Sequence, residues 1–226
     1  MNENLNLPKN IFFIGIGGIH MSAIAKLLSQ RGHKIFGTDT SRSKIIEHLE
    51  SIGIKIYSKH EQKNVEDAEL VIFSSAIDQN NPEIIFAQKN NIPLLSRSQI
   101  LNILCHEKDT VAISGSHGKT TITSLLGFIL LKAKYEPLIM TGGLSIDISE
   151  AINANKNSPF YRSEENMYDG SGKIAIIEAD EYKEAFLSYS PMHILINNID
   201  SDHLDYFGSK NVIMNSFSDF ANSLNK

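Results

Sequence analysis

Ser114–Thr121 reads S-G-S-H-G-K-T-T: two glycines bracket Ser116 and His117, and the second opens a G-K-T triplet. Glycines let a backbone wrap closely around phosphate oxygens, and the triplet adds an ammonium and a hydroxyl. On this reading Gly115, Ser116, His117, Gly118, Lys119, Thr120 and Thr121 bind ATP. The backbone N–H groups of Ser116 to Thr120 surround the phosphates, Lys119 sets a charge between the β- and γ-phosphates, and the Thr120 hydroxyl sits on Mg²⁺. The full phosphate-loop pattern calls for glycine at position 113, where this chain has Ile113.

A triphosphate site also needs carboxylates for its cation. Glu178 opens E-A-D-E (Glu178–Glu181) at the end of an apolar stretch, where a strand delivers it to the rim of a sheet. Asp200, Asp202, His203 and Asp205 cluster after a second apolar stretch. His203 can ligate a cation, although Mg²⁺ prefers oxygen, and a histidine after a strand is also an ordinary surface group. Thr120, Glu178 and His203 are therefore the metal candidates, and Lys119, Glu178 and His203 the catalytic ones.

Gly15, Gly17 and Gly18 form another glycine loop near the start of the chain. Placed between a strand and a helix, such a loop brings backbone and helix N–H groups to a diphosphate. Asp39 stands where an acid meets a ribose hydroxyl in dinucleotide folds. The dinucleotide fingerprint requires glycine at position 20, where the chain has His20. Some nucleotide diphosphate is the better reading, a ligand-free tight turn stays open, and a dehydrogenase is disfavoured.

These residues need elements to hold them. Apolar runs at Ile11–Ile16, Lys34–Thr38, Ile54–Tyr57 and Leu70–Ser74 alternate with helical patterns at Met21–Gln30, Lys44–Ser51, Pro82–Lys89 and Ser98–Leu104. Unbroken apolar runs suit strands buried on both faces of a parallel sheet, and the alternation predicts a Rossmann-like, doubly wound α/β unit. A second α/β unit starts with a strand over Thr110–Ser114 and a helix from Lys119 to about Ala133. Further strands are expected at Pro137–Met140, Lys173–Ala179 and His193–Asn197, and a surface loop over Ala154–Gly172. The expected division is residues 1–107 and 108–226, at the polar stretch His106–Asp109.

Bulk composition excludes several classes. The chain has 226 residues, 42% hydrophobic, and a formal charge of −5, with no basic field for nucleic acid. Its single cysteine, Cys105, rules out an intramolecular disulfide or a cysteine-rich zinc site and suits a small apolar place on a helix. The run Ile11–Ile19 is too short and glycine-rich for a signal core or membrane span, so a soluble cytoplasmic protein is expected.

Taken in order, these stretches resemble the Mur ligases across nearly the whole chain. The series runs G-I-G-G-I-H-M-S-A-I-A (Gly15–Ala25), G-T-D (Gly37–Asp39), His60 with Asn64–Val65, S-S-A-I (Ser74–Ile77) and I-P-L-L-S-R (Ile92–Arg97). It continues through G-S-H-G-K-T-T, E-A-D-E-Y with A-F-L (Ala185–Leu187), and N-I-D-S-D-H-L-D (Asn198–Asp205). The resemblance implies a first domain for a UDP-sugar, a P-loop-type α/β central domain for ATP and Mg²⁺, and a third domain beyond Lys226. It implies an ATP-dependent ligase that activates the carboxylate of UDP-N-acetylmuramate as an acyl phosphate and joins it to L-alanine, in peptidoglycan precursor synthesis. It places Gly15, Gly17, Gly18, Asp39, His60, Ser74, Ser75 and Arg97 near the UDP-sugar.

The chain departs from the family pattern at His20, often glycine, at Lys59 before His60, and at Tyr182–Lys183, often Ser-Asp. Two other readings stand beside the first. A murein-peptide ligase of the same family uses the same chemistry on a recovered tripeptide, but usually carries basic residues where this chain has Ala185–Pro191. A nucleotide-binding fragment without catalysis is the other.

Overall fold

The computed structural model describes residues 7–145 and 165–224. By its own contacts the chain divides into two units, Met1–Ile103 and Leu104–Lys226.

In the first unit, strands β1 (Asn10–Ile14), β2 (Lys34–Thr38), β3 (Lys55–Tyr57), β4 (Leu70–Phe73) and β5 (Leu94–Ser96) form one sheet in the order β3-β2-β1-β4-β5. Every pairing is parallel. Helices α1 (Ile19–Gln30), α2 (Lys44–Ser51), α3 (Pro82–Lys89) and α4 (Arg97–Cys105) follow β1, β2, β4 and β5. The central strand β1 is buried from Ile11 to Ile14, which explains its unbroken apolar run. Local chemistry sets the helix starts. Ser43 accepts the Ile46 N–H at the head of α2, and Asn81 accepts the Glu83 N–H ahead of Pro82.

Two features depart from the sequence reading. Strand β1 ends at Ile14, because Gly15 takes φ 76° and turns the chain into the loop. Leu94–Ser96 is a fifth strand, too short for periodicity to reveal; its register against Val71–Phe73 makes it one.

The second unit carries β6 (Asp109–Ser114), β7 (Leu138–Ser145), β8 (Glu165–Asp169), β9 (Ile174–Glu178) and β10 (His193–Ile196), in the order β10-β6-β9-β7-β8. Only the β7–β8 pairing is antiparallel. Helix α5 (Lys119–Lys132) follows β6, and α6 (Leu204–Phe207) and α7 (Lys210–Ala221) follow β10. Strand β8 corrects the expected surface loop over Ala154–Gly172, of which residues 154–164 lie outside the described residues. With only Met167 and Tyr168 apolar, the strand has too little pattern to read; pairing with β7 creates it. Cys105 is buried, as a small apolar residue on α4. Among the described residues no helix is long and apolar enough to cross a membrane.

Burial, and then its hydrogen bond to the Glu136 carboxylate at 2.8 Å, push the Tyr168 phenol from 10 to about 12. A raised folded-state value adds stability below pH 10 and loses it as pH rises through 12. Ultraviolet titration of the wild type against Tyr168→Phe is expected to show one phenol missing from the latest-ionising class. Loss from the ordinary class near pH 10 would contradict the assignment.

Candidate functional site

In the second unit, β6 ends at the buried Ser114, whose hydroxyl donates to the Ala179 carbonyl at 2.7 Å and ties the loop to the end of β9. Gly115 (φ 137°) and Gly118 (φ 81°) then turn the chain into α5. A Cβ on Gly118 would lie 2.8 Å from the Asn197 amide nitrogen, so position 118 needs glycine for both conformation and space.

Lys119 folds back over this loop. Its Nζ lies 2.6 Å from the Gly115 carbonyl and 2.9 and 2.8 Å from the two carboxylate oxygens of Glu181, itself only 2% exposed. The Thr120 hydroxyl lies 3.1 and 3.0 Å from the two oxygens of Glu178, to which the Gly142 N–H also donates at 2.5 Å. A Cβ on Gly142 would sit 2.5 Å from a Glu178 oxygen, so glycine there makes room for the carboxylate. A hydroxyl and a carboxylate meeting at a sheet rim are the oxygen donors Mg²⁺ takes, so Thr120 and Glu178 fit that cation.

The structure places His203 differently. Its Nε2 lies 3.8 Å from a Glu181 oxygen, and ligand atoms of Glu181, Asp202 and His203 all lie within 4.8 Å of one another. His203 thus keeps company with Glu181 and Asp202, while Thr120 and Glu178 pair separately. His203 also takes φ 52°, and Lys183 and Glu184 take φ 53° and 56°. Left-handed backbone at non-glycine residues persists where its surroundings over-determine it, and all three positions flank these carboxylates.

Two loop amides have other partners. The Ser116 N–H donates to the Asn198 carbonyl at 3.1 Å, and the His117 N–H to the Asn198 side-chain oxygen at 2.9 Å. The Asn197 and Asn198 side-chain amides both donate to the His117 carbonyl at 2.9 Å. Of the N–H groups expected to surround phosphates, those of Ser116 and His117 are bonded to Asn198. Ser116 and His117 are stapled to the segment after β10, and the first turn of α5 keeps the N–H groups that lack helical acceptors. Sequence reasoning missed Asn197, Asn198 and Glu181; their position after apolar strands was the available signal.

In the first unit, the Gly15 and Ile16 N–H groups donate to the Thr38 carbonyl at 2.8 and 3.2 Å. The Gly17 N–H donates to Asp39 at 2.8 Å, where a Cβ on Gly17 would also reach to 2.8 Å. The loop of Gly15, Gly17 and Gly18 therefore meets Asp39, and Gly18 caps α1. Ser74 follows β4 beside Gly15, its hydroxyl accepting the Ala76 N–H at 3.4 Å, and Ser75 is exposed. A cavity of about 220 Å³ opens beside Asp39, lined also by Arg42, Ile46, Ile56 and Ser58.

His20 lies in the first turn of α1, and its Nδ1 receives a hydrogen bond from Arg97 at 3.2 Å. Guanidinium only donates, so this ring nitrogen accepts. The departure at position 20 thus anchors Arg97 beside the loop. His60 is held by a residue the sequence reading did not single out: its Nδ1 lies 2.7 Å from Glu83, which is 0% exposed.

Residues 10–109 match the model described as Mur ligase family, catalytic domain, and residues 113–226 match the Mur ligase middle domain. The UDP-N-acetylmuramate–L-alanine ligase of Clostridium botulinum (strain Alaska E43 / Type E3) is 44% identical over 214 residues, covering 94% of this chain and 43% of that protein. The Clostridium tetani enzyme of the same name is 39% identical over 223 residues, covering 98% and 46%. The crystal structure of the UDP-N-acetylmuramate-alanine ligase of Thermotoga maritima superposes with a TM-score of 0.79 at 29% identity, covering 95% of this chain and 47% of that one. The chain thus spans about half the length of the curated relatives it matches. With two family domains matched in order along it, the chain belongs to the Mur ligase family.

Proposed function

We propose that this chain carries the sugar-nucleotide and ATP-phosphate units of a cytoplasmic ligase that joins L-alanine to UDP-N-acetylmuramate in peptidoglycan precursor synthesis. The observation that carries the reading is the Lys119–Glu181 and Thr120–Glu178 pairing around one phosphate loop, in a chain 44% identical to a ligase so named. Gly15, Gly17, Gly18, Asp39, His60, Ser74, Ser75 and Arg97 form the sugar-nucleotide site, and Gly115 to Thr121 the ATP site.

The chemistry asks the protein mainly to position groups and offset charge. The lactyl carboxylate attacks the γ-phosphate, and ADP leaves. The L-alanine amine attacks the resulting acyl phosphate, and the tetrahedral intermediate expels phosphate. Lys119 exchanges Glu181 for phosphate oxygens as ATP enters, placing its charge where the transferred group gathers negative charge. Thr120 and Glu178 would hold Mg²⁺, with His203 beside Glu181 and Asp202; when bound, Mg²⁺ supplies charge neutralisation at the β- and γ-phosphates.

Titration calorimetry with UDP-N-acetylmuramate and with UDP tests the first site. The sugar nucleotide is expected to bind about tenfold tighter than UDP, since the sugar adds buried polar contacts. A folded protein that binds neither would remove the sugar-nucleotide assignment.

A further inference from the structure

Glu83 lies on α3 with no exposed surface. Three donors converge on its Oε1: the Thr38 hydroxyl at 2.6 Å, the Asn64 side-chain amide at 2.9 Å and the Glu61 N–H at 3.3 Å. Its Oε2 meets His60 Nδ1 at 2.7 Å. Thr38 ends β2 directly before Asp39, and His60 follows β3, the strand next to β2 at the sheet edge. This network therefore joins the ribose end of the sheet to the His60 ring. A fully buried carboxylate with four hydrogen bonds is costly to place unless every partner is kept, and here every partner belongs to one rim of the sheet.

The bond to His60 has a direction. When ionised, the Glu83 carboxylate accepts only, and His60 Nδ1 then carries the proton. A neutral ring in this tautomer has a bare Nε2 that accepts. Among the described residues Nε2 has no protein partner, and His60 keeps 22% of its side chain exposed.

Resting on the sugar-nucleotide reading, we propose that Glu83 is a positioning residue that locks His60 as a hydrogen-bond acceptor and so selects a pyrimidine bearing a ring N–H. With its diphosphate on the β1 loop and its ribose at the end of β2, a ligand would carry its base outward toward β3, the strand that His60 follows. Uracil presents N3–H to such an acceptor. Cytosine presents a bare N3, which leaves two acceptors facing each other.

Glu83→Gln tests this directly. The three donors on Oε1 hold the glutamine carbonyl in that place, so its NH₂ group faces His60 Nδ1. The NH₂ donates, Nδ1 becomes the acceptor, the proton moves to Nε2, and the ring offers a donor to the base. In calorimetry the unaltered protein is expected to prefer UDP over CDP by about tenfold or more. In Glu83→Gln the UDP affinity is expected to fall about tenfold while CDP holds or gains, so that the ratio approaches or passes one. A purely structural role for Glu83 would weaken both nucleotides equally and overturn the proposal. An unaltered protein that binds neither nucleotide overturns the sugar-nucleotide reading and this inference with it. Should Glu83→Gln fail to fold, nitrogen-15 spectra of the unaltered protein decide at pH 8, above the ordinary histidine value of about 6.5. The His60 signals, identified by their loss in His60→Gln, are expected to show a protonated Nδ1 and a bare Nε2. A proton on Nε2, or on both nitrogens, overturns the proposal.

Discussion

Lys119→Ala is expected to weaken ATP binding by about a hundredfold or more while leaving UDP-N-acetylmuramate affinity within about twofold. Each charge-assisted hydrogen bond from the ammonium to a phosphate contributes about 1.5–3 kcal/mol, and two of them reach about a hundredfold. The residues proposed for the sugar nucleotide lie in the first unit of the chain, and Lys119 and its partners Gly115, Ser116 and Glu181 in the second. The substitution also strips the counter-charge from Glu181, which is 2% exposed, so stability should fall by about 3–5 kcal/mol as well. The double variant Lys119→Met with Glu181→Gln separates the two effects. With no buried charge left unpaired, it should recover most of the stability and none of the ATP affinity. Calorimetry with both ligands, alongside denaturant titration, checks this; equal loss of both ligands from a folded Lys119→Ala protein would contradict two independent sites.

Phe186→Ala is expected to destabilise the second unit by about 3–5 kcal/mol, the cost of emptying a fully buried aromatic site. Phe186 is 0% exposed, stacks on Phe220 at 4.5 Å and meets Phe217 edge-on at 5.2 Å. A domain's whole stability is about 5–15 kcal/mol, so this loss removes a large part of it. Phe186 lies in the kinked segment Tyr182–Ser188, directly after Glu178–Glu181, in which Lys183 and Glu184 take left-handed conformations that cost about 1–3 kcal/mol each. Loosening this anchor lets the segment relax and frees Glu181 to drift from Lys119. Denaturant unfolding should therefore show one transition at lower midpoint, with ATP binding weakened, and Phe186→Leu should keep most of both. An unchanged midpoint would show that the aromatic cluster does not hold the turn.

The departures from the sequence reading have a common physical origin. Strands β5 and β8 carry too few apolar residues to show a period, and only pairing against β4 and β7 makes them strands. Asn197 and Asn198 look like ordinary polar residues at the end of a strand, yet parallel pairing of β10 with β6 brings them against the loop at His117. Glu83 looks like an acid favoured in the first turn of a helix, and only packing shows it buried with four donors.

What the sequence alone determined is local. Two glycine loops stand between strand and helix, Lys119 and Thr120 open the helix after the second, and Glu178 ends an apolar strand. Each follows from interactions within a few residues, where glycine conformation, helix N-terminal amides and the burial of apolar runs act directly. The tertiary structure decided the partners. It set Lys119 on Glu181, Thr120 on Glu178, His203 beside Glu181 and Asp202, Arg97 on His20, and His60 on Glu83. Hydrogen bonds and ion pairs act over about 3–4 Å, a range that chain spacing does not encode across tens of residues. Sheet order and register bring such residues within that range.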